Sequence, residues 1–119
     1  MADISIFHNP NCSTSKFALA TAEELGVEVD VVKYLTAKDR PTADQLRTLV
    51  GQLEDPATDL VRRDANFAKL GLTDADVATD DQVVSVLAEH PELMQRPVIV
   101  RGSRAIIGRP KDRVADFIR

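Results

Sequence analysis

One cysteine stands in this chain, and its neighbours are unusual for a thiol whose only task is packing. The stretch "FHNPNCSTSKFALA", residues 7–20, puts Cys12 between an Asn-Pro-Asn turn and a Ser-Thr-Ser run that opens a helical pattern. A thiol directly after a strand and at the start of a helix meets unsatisfied backbone N–H groups and the positive end of the helix dipole. Both favour thiolate over thiol and lower a cysteine pKa from its usual ~8.5. The same N–H groups can cradle a tetrahedral oxyanion. Ser13, Thr14 and Ser15 add hydroxyls able to bond either sulfur or anion. His8, across a tight turn, either adds a donor or simply holds the loop. A small hydrophobe capping the first turn is the plainer reading of any lone cysteine, but the polar surroundings fit a nucleophile better.

A thiolate facing an oxyanion needs positive charge to cancel repulsion. Arginines stand at suggestive positions: Arg62 or Arg63 at the end of a middle helix, Arg96 before Pro97 and a strand, and Arg109 after Gly108 where a hairpin ends. Guanidinium groups suit tetrahedral oxyanions because their planar forks donate paired hydrogen bonds. Arginines at element ends also serve as solvated decoration. Pro97 has two readings as well. It opens a strand with its missing N–H facing outward, or it forms a cis peptide that sets backbone beside the thiol.

The elements that must position these groups follow from periodicity. "ISIF" (4–7) reads as a short strand, and a helix is expected from about Thr14 to Leu25 with Gly26 as its C-cap. "VEVDVVKYL" (27–35) reads as a second strand, completing a right-handed βαβ unit with parallel pairing. Thr42 opens a helix with Leu46, Leu49 and Val50 facing inward, and a short helix is expected over 56–64. "NFAKLGLTDADVATD" looks irregular, with at most a helical turn, and the helix that follows begins with Asp caps and ends near Pro91. "PVIVRGSRAIIG" (97–108) is two apolar strands around a hairpin signal, and "RPKDRVADFIR" closes as a helix. The order predicts an α/β chain with a thioredoxin-like fold: a four-stranded mixed sheet flanked by helices, with an enlarged central helical insert.

At 119 residues, 44% hydrophobic and 29% charged, the chain is expected to form a single domain over 1–119 with a largely aliphatic core. A net charge of -4, and a basic C-terminal cluster without stacking aromatics, argue against a nucleic-acid partner. No run approaches transmembrane length, and "MADISIFHNP" lacks the pattern of a signal peptide, so no membrane partner and a cytoplasmic location are expected. Two histidines, His8 and His90, and one cysteine are too few for a usual metal site, and there is no Gly-rich phosphate loop. The acidic run "TDADVATDD" lacks the spacing of a calcium loop. No metal and no bound cofactor are expected.

Together "IFHNPNCSTSKFAL", "LVRRD", "LMQRPVIV" and "IIGRPKD" resemble the glutaredoxin-dependent arsenate reductases of the bacterial ArsC family, which have a thioredoxin-like fold. The resemblance runs from Ile4 to about Val114 with its landmarks in matching order. It implies that Cys12 is the catalytic nucleophile, that Arg62, Arg96 and Arg109 bind the oxyanion, that His8 tunes the cysteine and that Pro97 is the cis proline. It further implies arsenate as substrate, an external low-molecular-weight thiol such as glutathione as co-substrate, and glutaredoxin or an equivalent thiol-disulfide protein as partner. Better-known members continue beyond this endpoint, Asn11 replaces a small residue, and Lys16 stands where some relatives have arginine. The family's regulator branch commonly has a second cysteine three positions after the first. Ser15 occupies that position here and speaks against that branch. Arsenate reductase is therefore the leading expectation. Its rival is a thioredoxin-like protein that binds a thiol, oxyanion or partner without arsenate turnover; a glutathione-linked oxidoreductase acting on another substrate is a third.

Overall fold

"ISIF" alternates, and β1 (Ile4–Phe7) forms with Ile4 and Ile6 buried on one face and Ser5 and Phe7 half-buried on the other. It is the second strand of a four-stranded sheet in the computed structural model, which describes residues 3–119. The sheet runs β2 (Val29–Val32), β1, β3 (Val98–Arg101), β4 (Arg104–Ile107). β1 pairs parallel with β2 and antiparallel with β3, and β3 and β4 form the hairpin turning at Gly102. This is the expected mixed sheet.

α1 (Ser13–Glu24) connects the two parallel strands. It stops in a Schellman turn: Gly26 takes a φ of 67°, its N–H reaches the Glu23 carbonyl, and the Val27 N–H reaches that of Ala22. Ala18 and Ala22 let α1 lie close on the sheet, and α5 (Arg113–Ile118) packs beside it through Val114, Phe117 and Ile118. Together with Ile4, Ile6, Ile99 and Ile106 they form the core on one face of the sheet.

The other face is covered by the insert between β2 and β3. α2 (Ala43–Gln52) contributes Leu46 and Leu49, and α4 (Asp80–Glu89) contributes Val83, Val84 and Leu87 against Val98, Ala105 and Ile107. Both helices open with a reciprocal cap. Thr42 and Gln45 exchange side-chain-to-backbone bonds, as do Thr79 and Gln82. The α4 cap is therefore Thr79 rather than an aspartate, because only the threonine has the glutamine three residues on. The segment expected to be irregular contains a short helix, α3 (Ala65–Lys69), opened by Asp64 accepting from the Phe67 N–H, and a 3-10 turn over Asp74–Val77. The second strand is shorter than the apolar run suggested. The chain turns away after Val32, with the Thr36 N–H on the Lys33 carbonyl.

The two edges of the sheet differ. Beside β4, Leu53 forms a parallel bridge with Ala105, and the Glu54 N–H donates to the Ala105 carbonyl at 2.8 Å. β2 lies at the other edge.

Candidate active site

Cys12 is the N-cap residue of α1, extended at φ -110° and ψ 121°. The turn before it is built by Asn9, whose side-chain oxygen accepts the Asn11 N–H at 2.9 Å while its carbonyl accepts the Cys12 N–H at 3.0 Å. That Asx turn points the thiol at the first turn of the helix. Cys12 is buried, and burial pushes its thiol up. The N–H groups of Ser15 and Thr14 and the guanidinium of Arg96 outweigh it, so the thiol sits below its ordinary pKa.

Arg109 makes the direct side-chain contact with the sulfur, Nη2 lying 3.5 Å from Sγ. Its Nε donates to the Arg96 carbonyl at 2.9 Å, so one guanidinium ties the end of the hairpin to the start of β3 and to the cysteine. Arg96 favours the thiolate through its charge and donors without a fully formed hydrogen bond to sulfur. Both X-Pro peptides here, Arg96-Pro97 and Arg109-Pro110, are cis.

The backbone that carries Arg109 is held from three sides. Gly108 donates its N–H to the Pro97 carbonyl at 2.8 Å, and a Cβ at this position would meet Pro97 Cγ at 2.7 Å and Ile99 Cδ1 at 2.9 Å. Only glycine allows that approach. Arg113 Nη1 donates to the carbonyls of Ile107 and Arg109 and to Asp55 Oδ1, and Asp55 Oδ2 accepts the Ile107 N–H. Lys111 Nζ lies 4.9 Å from the centroid of the exposed Phe17 ring, joining this segment to α1.

His8 is buried, with Nδ1 2.6 Å from Ser15 Oγ, and the same oxygen accepts the Asn9 N–H at 3.0 Å. Burial lowers the His8 pKa, and the charges of Lys33 and Lys16 lower it further. A neutral imidazole then accepts the Ser15 hydroxyl proton at Nδ1 and carries its own proton at Nε2. The Ser15 hydroxyl is thus committed to the loop, and what Ser15 offers the sulfur is its backbone N–H. Ser13 is exposed, and neither its hydroxyl nor that of Thr14 makes a hydrogen bond among the described residues.

Arg62, unlike Arg109, is paired with a carboxylate. Its Nη1 pairs with Asp64 Oδ2 at 3.5 Å, and its N–H donates to the Leu93 carbonyl. Arg63 is structural: it binds Asp74, Thr58 and the Val61 carbonyl and lies over the Phe67 ring. Sequence reasoning missed Asn9, Asp55, Arg113 and Tyr34. The Asn-Pro-Asn turn was the available signal for Asn9. Asp55 and Arg113 are 58 positions apart in sequence, and no local pattern links them.

No group of three or more metal-ligating side chains is brought together among the described residues, and no helix there is long and apolar enough to cross a membrane. A helix-capping thiol with depressed pKa, touched by one guanidinium and facing another, on a four-stranded mixed sheet, defines a thiol-nucleophile site on a thioredoxin-like fold. The chain belongs to the ArsC family, whose profile matches residues 7–117. It is 34% identical to an arsenate reductase of Neisseria meningitidis over 96% of this chain and 97% of that one. It is equally similar, at 34%, to the uncharacterized protein YfgD of Escherichia coli over 97% of this chain and 96% of that one. Among solved structures, an arsenate reductase from Vibrio cholerae superposes with a TM-score of 0.83 at 34% identity, covering 98% of this chain and 97% of that one.

Proposed function

We propose that this protein is a thiol-dependent arsenate reductase of the glutaredoxin type. The observation that carries the reading is the contact between Arg109 and the Cys12 sulfur, in a site that already favours the thiolate. A cation beside the nucleophile lets two anions approach, and the guanidinium remains in place to take up charge as the oxyanion reacts. The relatives named arsenate reductase supply the substrate.

In this reading the Cys12 thiolate attacks arsenic, a sulfur–arsenic bond forms, and an arsenic–oxygen bond breaks as hydroxide or water leaves. Arg96, Arg109 and the N–H groups of Thr14 and Ser15 hold the remaining oxygens, with Arg62 joining when it is drawn from Asp64. Cys12 is the only cysteine of the chain, so the two electrons that take arsenic from +5 to +3 come from two external thiols, which leave as a disulfide. A small thiol such as glutathione attacks the adduct, a glutaredoxin supplies the second sulfur, and arsenite departs with Cys12 restored as a thiol. Residues 1–119 act as one domain, in a reducing cytoplasm where a free thiol persists.

The test is arsenate-dependent oxidation of NADPH with glutathione, glutaredoxin and its reductase, comparing wild type, Cys12→Ser and Arg96→Ala. Turnover that vanishes in the serine variant and falls sharply in the alanine variant supports the reading. Absence of turnover with glutathione and with other small thiols sinks it in favour of oxyanion or partner binding without chemistry.

A further inference from the structure

All four strands deliver a residue to one end of the sheet. The register sets Phe7 opposite Val32 and opposite Val98, and Val98 opposite Ile107. The Cys12 loop leaves from Phe7. Tyr34 lies two residues beyond Val32, Arg96 two before Val98, and Arg109 two beyond Ile107. Three of these four positions belong to the site already described. Tyr34 is the fourth, and nothing in the reaction outlined above uses it.

Tyr34 is fully buried, packed in the core that contains Val98 and Ile107, with the Phe7 ring 6.4 Å away. Its hydroxyl has no hydrogen-bond partner, and neither has Nε of Arg96, also buried. These are the two orphaned buried side-chain polar atoms among the described residues. An unpartnered buried polar atom is destabilising and is rare in a folded protein without a reason. Here both orphans can donate, and their residues stand at the same end of the sheet: the Arg96 guanidinium acts on the Tyr34 phenol without completing a hydrogen bond, and the charges of Cys12 and Arg62 reach it too. Burial, first among these influences, pushes the phenol up, so it stays protonated and able to donate. Two buried donors without an acceptor, one of them on a cation, suit an oxygen that carries negative charge.

We propose that the Tyr34 hydroxyl and the Arg96 Nε–H together receive one oxygen of the tetrahedral oxyanion at Cys12, making Tyr34 a substrate-binding residue of this site. The proposal rests on the arsenate reading. It adds a neutral donor beside the charged arginines, which fixes the rotation of the oxyanion about the forming sulfur–arsenic bond.

The chain holds one tyrosine and no tryptophan, so its near-ultraviolet absorbance and tyrosine emission report Tyr34 alone. Arsenate titrated into the wild-type protein without any thiol should change both signals saturably, at the concentration that protects Cys12 from iodoacetamide. Tyr34→Phe should alkylate at the wild-type rate without anion, keep or raise its melting temperature because the lost hydroxyl had no partner, and need about 10- to 100-fold more arsenate for protection. Unchanged protection in Tyr34→Phe, or a silent tyrosine signal while wild-type Cys12 becomes protected, overturns the proposal and leaves the arsenate reading standing. Arsenate that neither protects wild-type Cys12 nor is turned over removes both. Should the phenylalanine variant fail to fold, the wild-type titration decides alone.

Discussion

Arg109 touches Cys12 across 97 residues of sequence, Nη2 to Sγ at 3.5 Å, while its Nε stays bonded to the Arg96 carbonyl. The contact makes the ionisation of the thiol depend on the far end of the chain. It also makes the guanidinium a fixed part of the site before any anion arrives.

The pH profile of Cys12 alkylation should therefore inflect below the ~8.5 of an ordinary thiol. Arg109→Ala should move that inflection upward and lower arsenate turnover by about 100- to 1,000-fold, the usual loss for one oxyanion donor. Rates of iodoacetamide capture across pH measure the first effect without requiring turnover. Equal inflections in the two proteins would mean that the helix N–H groups and Arg96 set the thiolate without Arg109.

His8 gives a second dependence on pH, this time in stability. Burial, with Lys33 and Lys16, places its folded pKa below the ordinary value, so on acidification the unfolded chain binds the proton first. Its contribution is complete above ~6.5 and is lost as pH falls from there through the folded value. Between pH 7 and 5 the wild-type melting temperature should fall more steeply than that of His8→Asn. Parallel curves would show an imidazole that is as easily charged in the folded protein as in the unfolded one.

Gly108→Ala tests how the hairpin presents Arg109. The added methyl meets Pro97 and Ile99 inside ordinary contact distance, a misfit of the kind that costs about 1–3 kcal/mol. Thermal unfolding should occur several degrees lower. Turnover measured well below that temperature should fall too, because relief of the clash moves the residue that carries the guanidinium. Full activity in a destabilised variant would uncouple the packing from the site.

Much of the scaffold was legible because it is written in short-range pattern. The alternation of "ISIF", the apolar stripe of α1 closed by Gly26, and the hairpin around "RGSR" each depend on neighbours a few residues apart. Boundaries failed where Asp80 and Asp81 stood beside Thr79 as competing caps, or where a five-residue helix held too little periodicity to show. In the site, Cys12 declared itself by its turn and helix start, chain position nominated the arginines, and the resemblance chose Arg62 over Arg63. The commitment of the Ser15 hydroxyl to His8, the pairing of Arg62 with Asp64, the Asp55–Arg113 brace and the unpartnered Tyr34 hydroxyl are tertiary facts. No spacing in one strand of text encodes which donor will lack an acceptor.

The Leu53–Ala105 bridge has a consequence for how molecules of this protein meet one another. A sheet border with free N–H and C=O groups is a template for pairing with a second chain, and here the β4 border is already occupied. The exposed border is β2, four residues long, flanked by Glu28 and Lys33 and carrying Asp30. A short, charged ribbon extends poorly into a neighbour, so the bridge that closes one side confines the risk of strand-to-strand aggregation to the side least able to sustain it.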